Sequence, residues 1–168
     1  CRILEYCGHE VLRTNHVGDW GTQFGMLIAY LKDTVPSINE TGNIELTLPE
    51  LQDCYKRAKA KFDEDPDFKR ISQQEVVSLQ GGEKQAYAIW KSICDISKKG
   101  YDEIYQLLNI QITDRGESFY NPMLNDIVST LEEKALLTIS DGAKCVHVDG
   151  FQNRDGDPLP LIVQKKDG

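Results

Sequence analysis

Two short segments hold the polar residues whose types and spacing could do chemistry. The first, Asn15 to Gln23, begins within the segment 11–17, which is rich in β-branched residues, and combines amide, imidazole, carboxylate and indole side chains. The second, Arg115 to Ser118, places a guanidinium two residues before a carboxylate. Open α/β sheets bind their ligands at the carboxyl ends of strands. The first segment therefore predicts polar recognition at a strand end, and Glu117 of the second could accept paired N–H donors from a cation.

Metal or covalent chemistry is not indicated by the remaining residues. His9, His16 and His147 are scattered, and the five cysteines form no pair at zinc-ligand spacing. No Ser or Cys stands in a nucleophile motif, and no glycine-rich phosphate loop is present. Glu132 and Glu133 have charged neighbours and predict a solvated helix face. We therefore predict no protein-bound metal and no catalytic nucleophile.

Composition and charge exclude several classes of protein. Of 168 residues, 40% are hydrophobic and 27% charged, which is typical of a globular protein rather than a disordered one. The net charge of −8 argues against this chain forming the main nucleic-acid-binding surface. No secretion signal or run of 18 apolar residues occurs, so we expect a cytoplasmic protein without membrane contact. The odd, scattered cysteines favour reduced, structural thiols.

The elements that must position the first segment alternate between helix and strand. Residues 1–7 predict the end of a helix stopped by Gly8, and 11–17 a short buried strand. Apolar residues at helical spacing from Phe24 to Val35 predict a helix that ends before Pro36. This order is typical of an α/β layer.

A helical region and a mixed return segment follow. Residues 37–47 predict an exposed loop, and three helices are expected over the ranges 50–63, 67–79 and 86–108, the last being the longest. The return segment predicts a strand at 110–113, a loop at 114–118, a helix that begins at Asn121-Pro122, a hairpin around Asp141-Gly142, and a buried strand at 159–163.

A family resemblance rests on three blocks that appear in order. The segment Asn15 to Ile28, NHVGDWGTQFGMLI, resembles a block of arginine-tRNA ligases, the class I aminoacyl-tRNA synthetases for arginine. Arg115 to Tyr120 is similar to a loop of the eukaryotic-type members. Leu159 to Val163 with Lys166-Asp167-Gly168 resembles a strand that precedes the family's next active-site stretch. The blocks cover nearly the whole chain.

The resemblance implies an α/β fold: part of a Rossmann-type catalytic domain with a helical connective insertion. Residues 1–35 would belong to the first half of the core, 36–109 mostly to the insertion, and 110–168 to the return toward the second half. Class I enzymes bind ATP with HIGH and KMSKS elements, and His16 to Asp19 carries Asp where the second His belongs. We therefore expect a fragment that is inactive when isolated, with the ATP-site residues outside it.

The implied reaction attaches L-arginine to its tRNA through an arginyl-adenylate, with ATP as substrate and Mg²⁺ assisting. The partners would be arginine, ATP and tRNA, and other synthetases in a complex are a further candidate. Two alternatives stay open. The chain could be a catalytically inert structural or interaction piece of the ligase. It could also belong to another class I synthetase, such as the one for cysteine, although the GDWGTQFG block and the absence of zinc-ligand cysteines argue against this.

Site roles follow from the resemblance and from residue chemistry. In the family, the glutamate that matches Glu117 faces the arginine pocket; its alternative here is a salt bridge with Arg115 or an exposed loop charge. The residues expected to shape the site at the strand end are Asn15, His16, Gly18, Asp19, Trp20, Gly21 and Gln23. Alternatively, Trp20 packs in the core, Asp19 caps a helix, and His16 is structural. Gly18 and Gly21 would permit backbone turns closed to larger residues.

Overall fold

A computed structural model describes residues 1–35, 38, 42 and 44–166, divided between two compact units. The first unit, Cys1–Phe119, contains two strands that pair in parallel and the helices that precede and connect them. Its elements are α1 (Arg2–Tyr6), β1 (Thr14–Val17), α2 (Thr22–Thr34), α3 (Leu48–Glu64), α4 (Pro66–Gln80), α5 (Lys84–Leu107) and β2 (Thr113–Gly116). Parallel strands require a crossover between them, and helices provide it here.

Helix boundaries in this unit follow capping chemistry. Thr47 and Glu50 form a reciprocal capping box at the start of α3. The Asp65 carboxylate accepts hydrogen bonds from the N–H groups of Asp67 and Phe68, with Pro66 in the first turn of α4. Gly8 has a φ of 85° after α1, as expected for a left-handed stop. The predicted helices are confirmed, including α5 as the longest at 24 residues.

The apolar core of the first unit lies between α2 and the three helices that follow it. Five consecutive residues of α2, Gly25–Ala29, and Leu31 are buried, so the middle of this helix is covered on all sides. Gly25 lets α2 approach α4 so closely that an added Cβ would overlap the Ser72 carbonyl. Buried residues of the largest cluster are Leu27, Ile28, Leu31, Ile38, Leu51, Leu79, Ala86, Ile89, Trp90 and Ile93. Helices α3, α4 and α5 therefore fix the position of α2 and of the loop that precedes it.

The second unit spans Tyr120–Gly168. A 3-10 helix, Glu117–Met123, leads into α6 (Leu124–Glu133) and an antiparallel sheet of β3 (Thr138–Ser140), β4 (Ala143–Gln152) and β5 (Pro158–Gln164), in the order β3-β4-β5. The predicted hairpin is confirmed: Asp141 and Gly142 have φ values of 50° and 83°, which the tight turn requires.

Five expectations from sequence are corrected or untested. The strand expected at 110–113 lies at Thr113–Gly116, since its pairing with β1 decides the register rather than local alternation. The strand expected at 11–17 shortens to Thr14–Val17. The helix expected to begin at Asn121-Pro122 begins at Leu124, and β5 is largely exposed. The loop expected at 37–47 lies mostly outside the described residues.

Candidate functional site

The carboxyl ends of β1 and β2 meet, and the two polar segments meet with them. Val17 stands opposite Gly116 in the parallel register, so the residues that follow each strand leave the sheet side by side. Glu117 and Ser118 begin the 3-10 helix beside Asp19 and Trp20. The prediction of polar groups at a strand end thus extends to two adjacent strand ends.

The Asp19 carboxylate is the centre of the contacts between these segments. It accepts a hydrogen bond from the Ser118 backbone N–H at 2.9 Å and another from the Ser118 hydroxyl at 2.6 Å. Asp19 does not cap α2, whose N-cap is Gly21 without a side-chain bond. It satisfies an N–H in the first turn of the 3-10 helix instead. A Cβ at Gly116 would overlap this carboxylate, with Oδ1 2.5 Å away.

Glu117 is exposed at the mouth of this site. Its Oε2 accepts the Trp20 backbone N–H at a long distance of 3.4 Å. The alternative of a salt bridge with Arg115 is wrong: within the described part of the chain the two form no ion pair, and the Arg115 guanidinium lies 4.9 Å from the Phe119 ring centroid. A solvent-facing carboxylate held by one weak contact can still bind a cationic group.

Trp20 and the backbone around it are anchored by helices α4 and α5. The Trp20 and Trp90 rings meet edge to face, with centroids 5.2 Å apart. Trp90 Nε1–H donates to the Asp19 carbonyl at 2.6 Å, and Gln80 Nε2 donates to the Trp20 carbonyl at 3.0 Å. Successive carbonyls of the loop are therefore held by side chains from two helices. Trp20 packs against the core and also belongs to the strand-end loop.

The other predicted site residues are dispersed. The Asn15 amide donates to the Tyr105 hydroxyl at 2.8 Å, which directs it to α5 rather than to Glu117. His16 is exposed on β1, and Gln23 is exposed near the start of α2, where its amide covers Gly21. Neither Gly18 nor Gly21 has a positive φ, so the expectation that their backbone conformations exclude larger residues is wrong.

A cavity of about 170 Å³ lies beneath the strand ends, lined by residues that include Asp19, Cys94, Tyr101 and Asp114. Lys98 Nζ contacts Asp114 Oδ2 at 2.5 Å, while the buried Asp114 Oδ1 has no hydrogen-bond partner among the described residues. The hydrogen bond to Asp114 raises the pKa of Lys98 above its ordinary value. Burial, together with the nearby Asp19 charge, raises the pKa of Cys94 to about 12. Cys94 therefore stays a neutral thiol at physiological pH.

Sequence reasoning missed the supporting residues Ser118, Trp90, Gln80 and Lys98. Ser118 belongs to the block that carries the resemblance, and Trp90 belongs to the apolar stripe of α5. Those patterns assigned them to a loop and to a core. Nothing in local spacing indicates that the polar atoms of Ser118, Trp90 and Gln80 reach the loop after β1, or that Lys98 reaches Asp114 of β2.

The described residues gather no metal-ligand set and no membrane span. Nowhere in 1–35, 38, 42 and 44–166 do three His, Cys, Asp or Glu side chains converge as metal ligands would. Across the same ranges, no helix has the length and apolarity needed to cross a bilayer. Three of the four basic residues of α3, Lys56, Lys59 and Lys61, each pair with an aspartate, which reduces the positive charge on this helix.

Comparison with known proteins covers the entire chain. A family model described as "tRNA synthetases class I (R), catalytic domain" matches residues 1–168. Arginine–tRNA ligases of Protochlamydia amoebophila and Nostoc punctiforme are 57% and 54% identical over 167 residues, which are 99% of this chain and 28% of each relative. The crystal structure of arginyl-tRNA synthetase from Plasmodium falciparum matches with a TM-score of 0.81 and 34% identity, over 100% of this chain and 27% of that one.

These matches confirm the α/β fold class of a Rossmann-type class I catalytic domain. They also confirm the resemblance to arginine-tRNA ligases, rather than to the class I synthetase for cysteine. The chain spans about 28% of the length of the curated relatives it matches. It belongs to the family of class I tRNA synthetase catalytic domains for arginine.

Proposed function

We propose that this chain is part of an enzyme that attaches L-arginine to its tRNA. In the first step an arginine carboxylate oxygen attacks the α-phosphorus of ATP, forming arginyl-adenylate and releasing pyrophosphate. In the second, the terminal ribose hydroxyl of the tRNA attacks the activated carbonyl and releases AMP. Family membership and arginine-tRNA ligase relatives over 99% of the chain support this proposal. No enzyme nucleophile is needed, because positioning and charge stabilisation can drive both steps.

Within this enzyme, residues 1–35 would contribute the first half of the core, 36–109 the connective insertion, and 110–168 the return to the second half. The parallel pairing of β1 with β2 supports this division, since two strands of one sheet flank the helices α3 to α5. The two hydrogen bonds from α4 and α5 to the loop after β1 give the insertion a structural role in the core. ATP, arginine and tRNA would be the partners. We assign no step to Mg²⁺ in these residues.

Glu117 is proposed to bind the guanidinium of arginine. One observation carries this assignment: Glu117 is an exposed carboxylate at the shared carboxyl ends of β1 and β2, where open α/β sheets bind ligands. A planar guanidinium donates paired N–H groups, which fit the two oxygens of a carboxylate. The anchored loop of Asp19 and Trp20 forms the other side of this position. Asn15, His16, Gly18, Gly21 and Gln23 would act only through the shape of the loop and its strand.

The experiment is arginine-dependent ATP–pyrophosphate exchange by the full-length protein carrying Glu117→Gln, with tRNA present. Glutamine keeps the shape and removes the charge. Hydrogen bonds to charged groups contribute about 1.5–3 kcal/mol, so the KM for arginine should rise roughly tenfold to hundredfold. The KM for ATP should stay within about twofold, and discrimination against neutral citrulline should shrink.

Glu103→Gln is the matched control, because Glu103 is also exposed and lies on α5 away from the strand ends. It loses the same charge and should leave both KM values unchanged. A KM for arginine within about twofold of wild type in Glu117→Gln would make Glu117 a structural loop charge.

A further inference from the structure

We propose that Asp19 is a positioning residue that orients Glu117 for arginine without touching the substrate. This inference rests on the proposed function of Glu117 and adds a specific device that sets its orientation. Asp19 would act through Ser118, the neighbour of Glu117, and would itself be held by Trp90 of α5. The three contacts join the helical insertion, the loop after β1 and the 3-10 helix after β2.

The carboxylate side of this device fixes the start of the 3-10 helix. Both Asp19 oxygens are used, one by the Ser118 N–H at 2.9 Å and the other by the Ser118 hydroxyl at 2.6 Å. Two bonds from one carboxylate to one residue limit rotation of the peptide that joins Glu117 to Ser118. The Glu117 Cα is part of that peptide unit, so the direction of its side chain is set there.

Gly116, at the end of β2, leaves space for the same Asp19 carboxylate. A Cβ at Gly116 would overlap the Asp19 carboxylate, so the residue before Glu117 leaves room for it. Gly116 has no positive φ, and the close approach of Asp19 is therefore the physical reason for a glycine at this position. The backbone on both sides of Glu117 is thus shaped by Asp19.

The backbone side of the device fixes Asp19 itself. The Asp19 carbonyl accepts the Trp90 indole N–H at 2.6 Å, and Trp90 is buried at 9% exposure. The next N–H along the chain, that of Trp20, donates to Glu117 Oε2 at 3.4 Å. Asp19 therefore has little freedom to move, while Glu117 keeps only a weak direct contact and can reach a ligand. The hydrogen bonds that the charged Asp19 carboxylate accepts are stronger than hydrogen bonds to a neutral acceptor.

The test measures steady-state exchange kinetics of the full-length protein with Asp19→Asn, Ser118→Ala and Ser118→Thr, each alone and with Glu117→Gln. Asparagine replaces one acceptor oxygen by an NH₂ group that cannot accept a hydrogen bond, so one of the two bonds from Ser118 is lost. Alanine removes the hydroxyl, and threonine restores it. We expect the KM for arginine to rise at least about threefold in Asp19→Asn and Ser118→Ala, with the KM for ATP unchanged and Ser118→Thr near wild type.

The combined variants decide whether Asp19 acts through Glu117. If it does, Asp19→Asn raises the KM for arginine in the wild-type background but adds less than about twofold in the Glu117→Gln background. An equal rise in both backgrounds, or an equal rise in the KM for ATP, overturns the inference while leaving the proposed function intact. An unchanged KM in Glu117→Gln alone overturns the proposed role of Glu117 and the inference with it.

Ser118→Ala and Ser118→Thr keep the test decisive if Asp19→Asn folds poorly, because they change only the partner of the carboxylate. A KM for arginine that rises equally in both Ser118 variants would also contradict the inference, since threonine retains the donor.

Discussion

Lys98 Nζ lies 2.5 Å from Asp114 Oδ2, which ties helix α5 to strand β2 two residues before Gly116. The Tyr101 hydroxyl donates to the same oxygen at 3.5 Å, while the buried Asp114 Oδ1 meets no hydrogen-bond donor in the part of the chain that the structure describes. Asp114 thus depends on α5 for the positive charge that pairs with its carboxylate, and this ion pair attaches β2 to α5. The strand that leads into Glu117 is held from the side as well as by its pairing with β1.

Lys98→Met should lower the midpoint of thermal unfolding. Methionine keeps much of the side-chain length but leaves the partly buried Asp114 carboxylate without its cation, at a cost of about 1–3 kcal/mol before solvent screening. Because the Lys98 side chain is 49% exposed, we expect the lower end of that range. Lys99→Met is the control, since Lys99 is an exposed neighbour on the same helix. Equal midpoints for both variants would contradict the role of the pair.

The pH dependence of the same variant has a defined sign. The pKa of Lys98 is raised above its ordinary 10.5, chiefly by the hydrogen bond to Asp114. A raised pKa in the folded state gives stability that is complete below the unfolded value and lost as pH rises through the folded value. The difference between wild type and Lys98→Met should therefore be constant from pH 6 to 9 and shrink above about pH 10.5. A difference that grows with rising pH would contradict this assignment.

Gly25→Ala should destabilise the first unit although alanine favours helices. An added Cβ would overlap the Ser72 carbonyl and lie 2.8 Å from the Val76 backbone nitrogen, and backbone cannot rotate away. Overpacking costs about 1–3 kcal/mol, against about 1 kcal/mol gained from helix propensity. Gly100→Ala on α5 is the matched control, since its Cβ would meet only the flexible Leu48 side chain. Thermal unfolding should show a lower midpoint for Gly25→Ala than for Gly100→Ala, and the reverse order would contradict close packing of α2 on α4.

The helices were predictable from sequence because their signals are local. The apolar period of α2 and the cap and proline at Asp65-Pro66 lie within the elements they define. Strand β2 was displaced in the prediction because Asp114 and Arg115 do not look like strand residues. Their strand conformation depends on partners in β1 and α5 that lie far away in sequence.

The candidate site was likewise predictable from sequence only in part. Glu117 and the loop of Asp19 and Trp20 were identified by resemblance to a family. Their mutual arrangement was not, because the Asp19–Ser118 bonds span 99 residues and the Trp90–Asp19 bond spans 71. Local spacing carries no information about such pairs. It could assign Asp19 to a helix cap, but could not indicate that the helix was the one following β2.

Cys94 should resist alkylation in the folded protein. Burial raises its pKa from 9.0 to about 12, which lowers the thiolate fraction at pH 8 roughly a thousandfold. Its contribution to folding stability is present below pH 9.0 and lost as pH rises toward about 12. The measurement is the rate of iodoacetamide labelling of Cys94, followed by peptide mass spectrometry. The control is the same cysteine in urea. Folded and unfolded rates within about tenfold would contradict a buried neutral thiol.

Trp90→Phe should separate the packing role of Trp90 from its hydrogen bond. Phenylalanine retains an aromatic ring against Trp20 but cannot donate to the Asp19 carbonyl, which Trp90 Nε1–H contacts at 2.6 Å. Loss of one buried hydrogen bond costs about 1–3 kcal/mol, so the unfolding midpoint should fall. If the bond also holds Asp19 in place, the KM for arginine should rise about twofold or more while that for ATP stays constant.

Tyr87→Phe provides the comparison for this variant, because Tyr87 also packs on Trp90, with ring centroids 5.0 Å apart, and has an exposed ring on α5. It keeps the aromatic contact and removes only a hydroxyl, so the KM for arginine and the unfolding midpoint should match wild type. If Trp90→Phe lowers stability but leaves the KM for arginine unchanged, the insertion supports the loop without setting the geometry of Glu117. If the KM values for arginine and ATP rise together, Trp90→Phe has disturbed the whole site rather than the position of Asp19 alone.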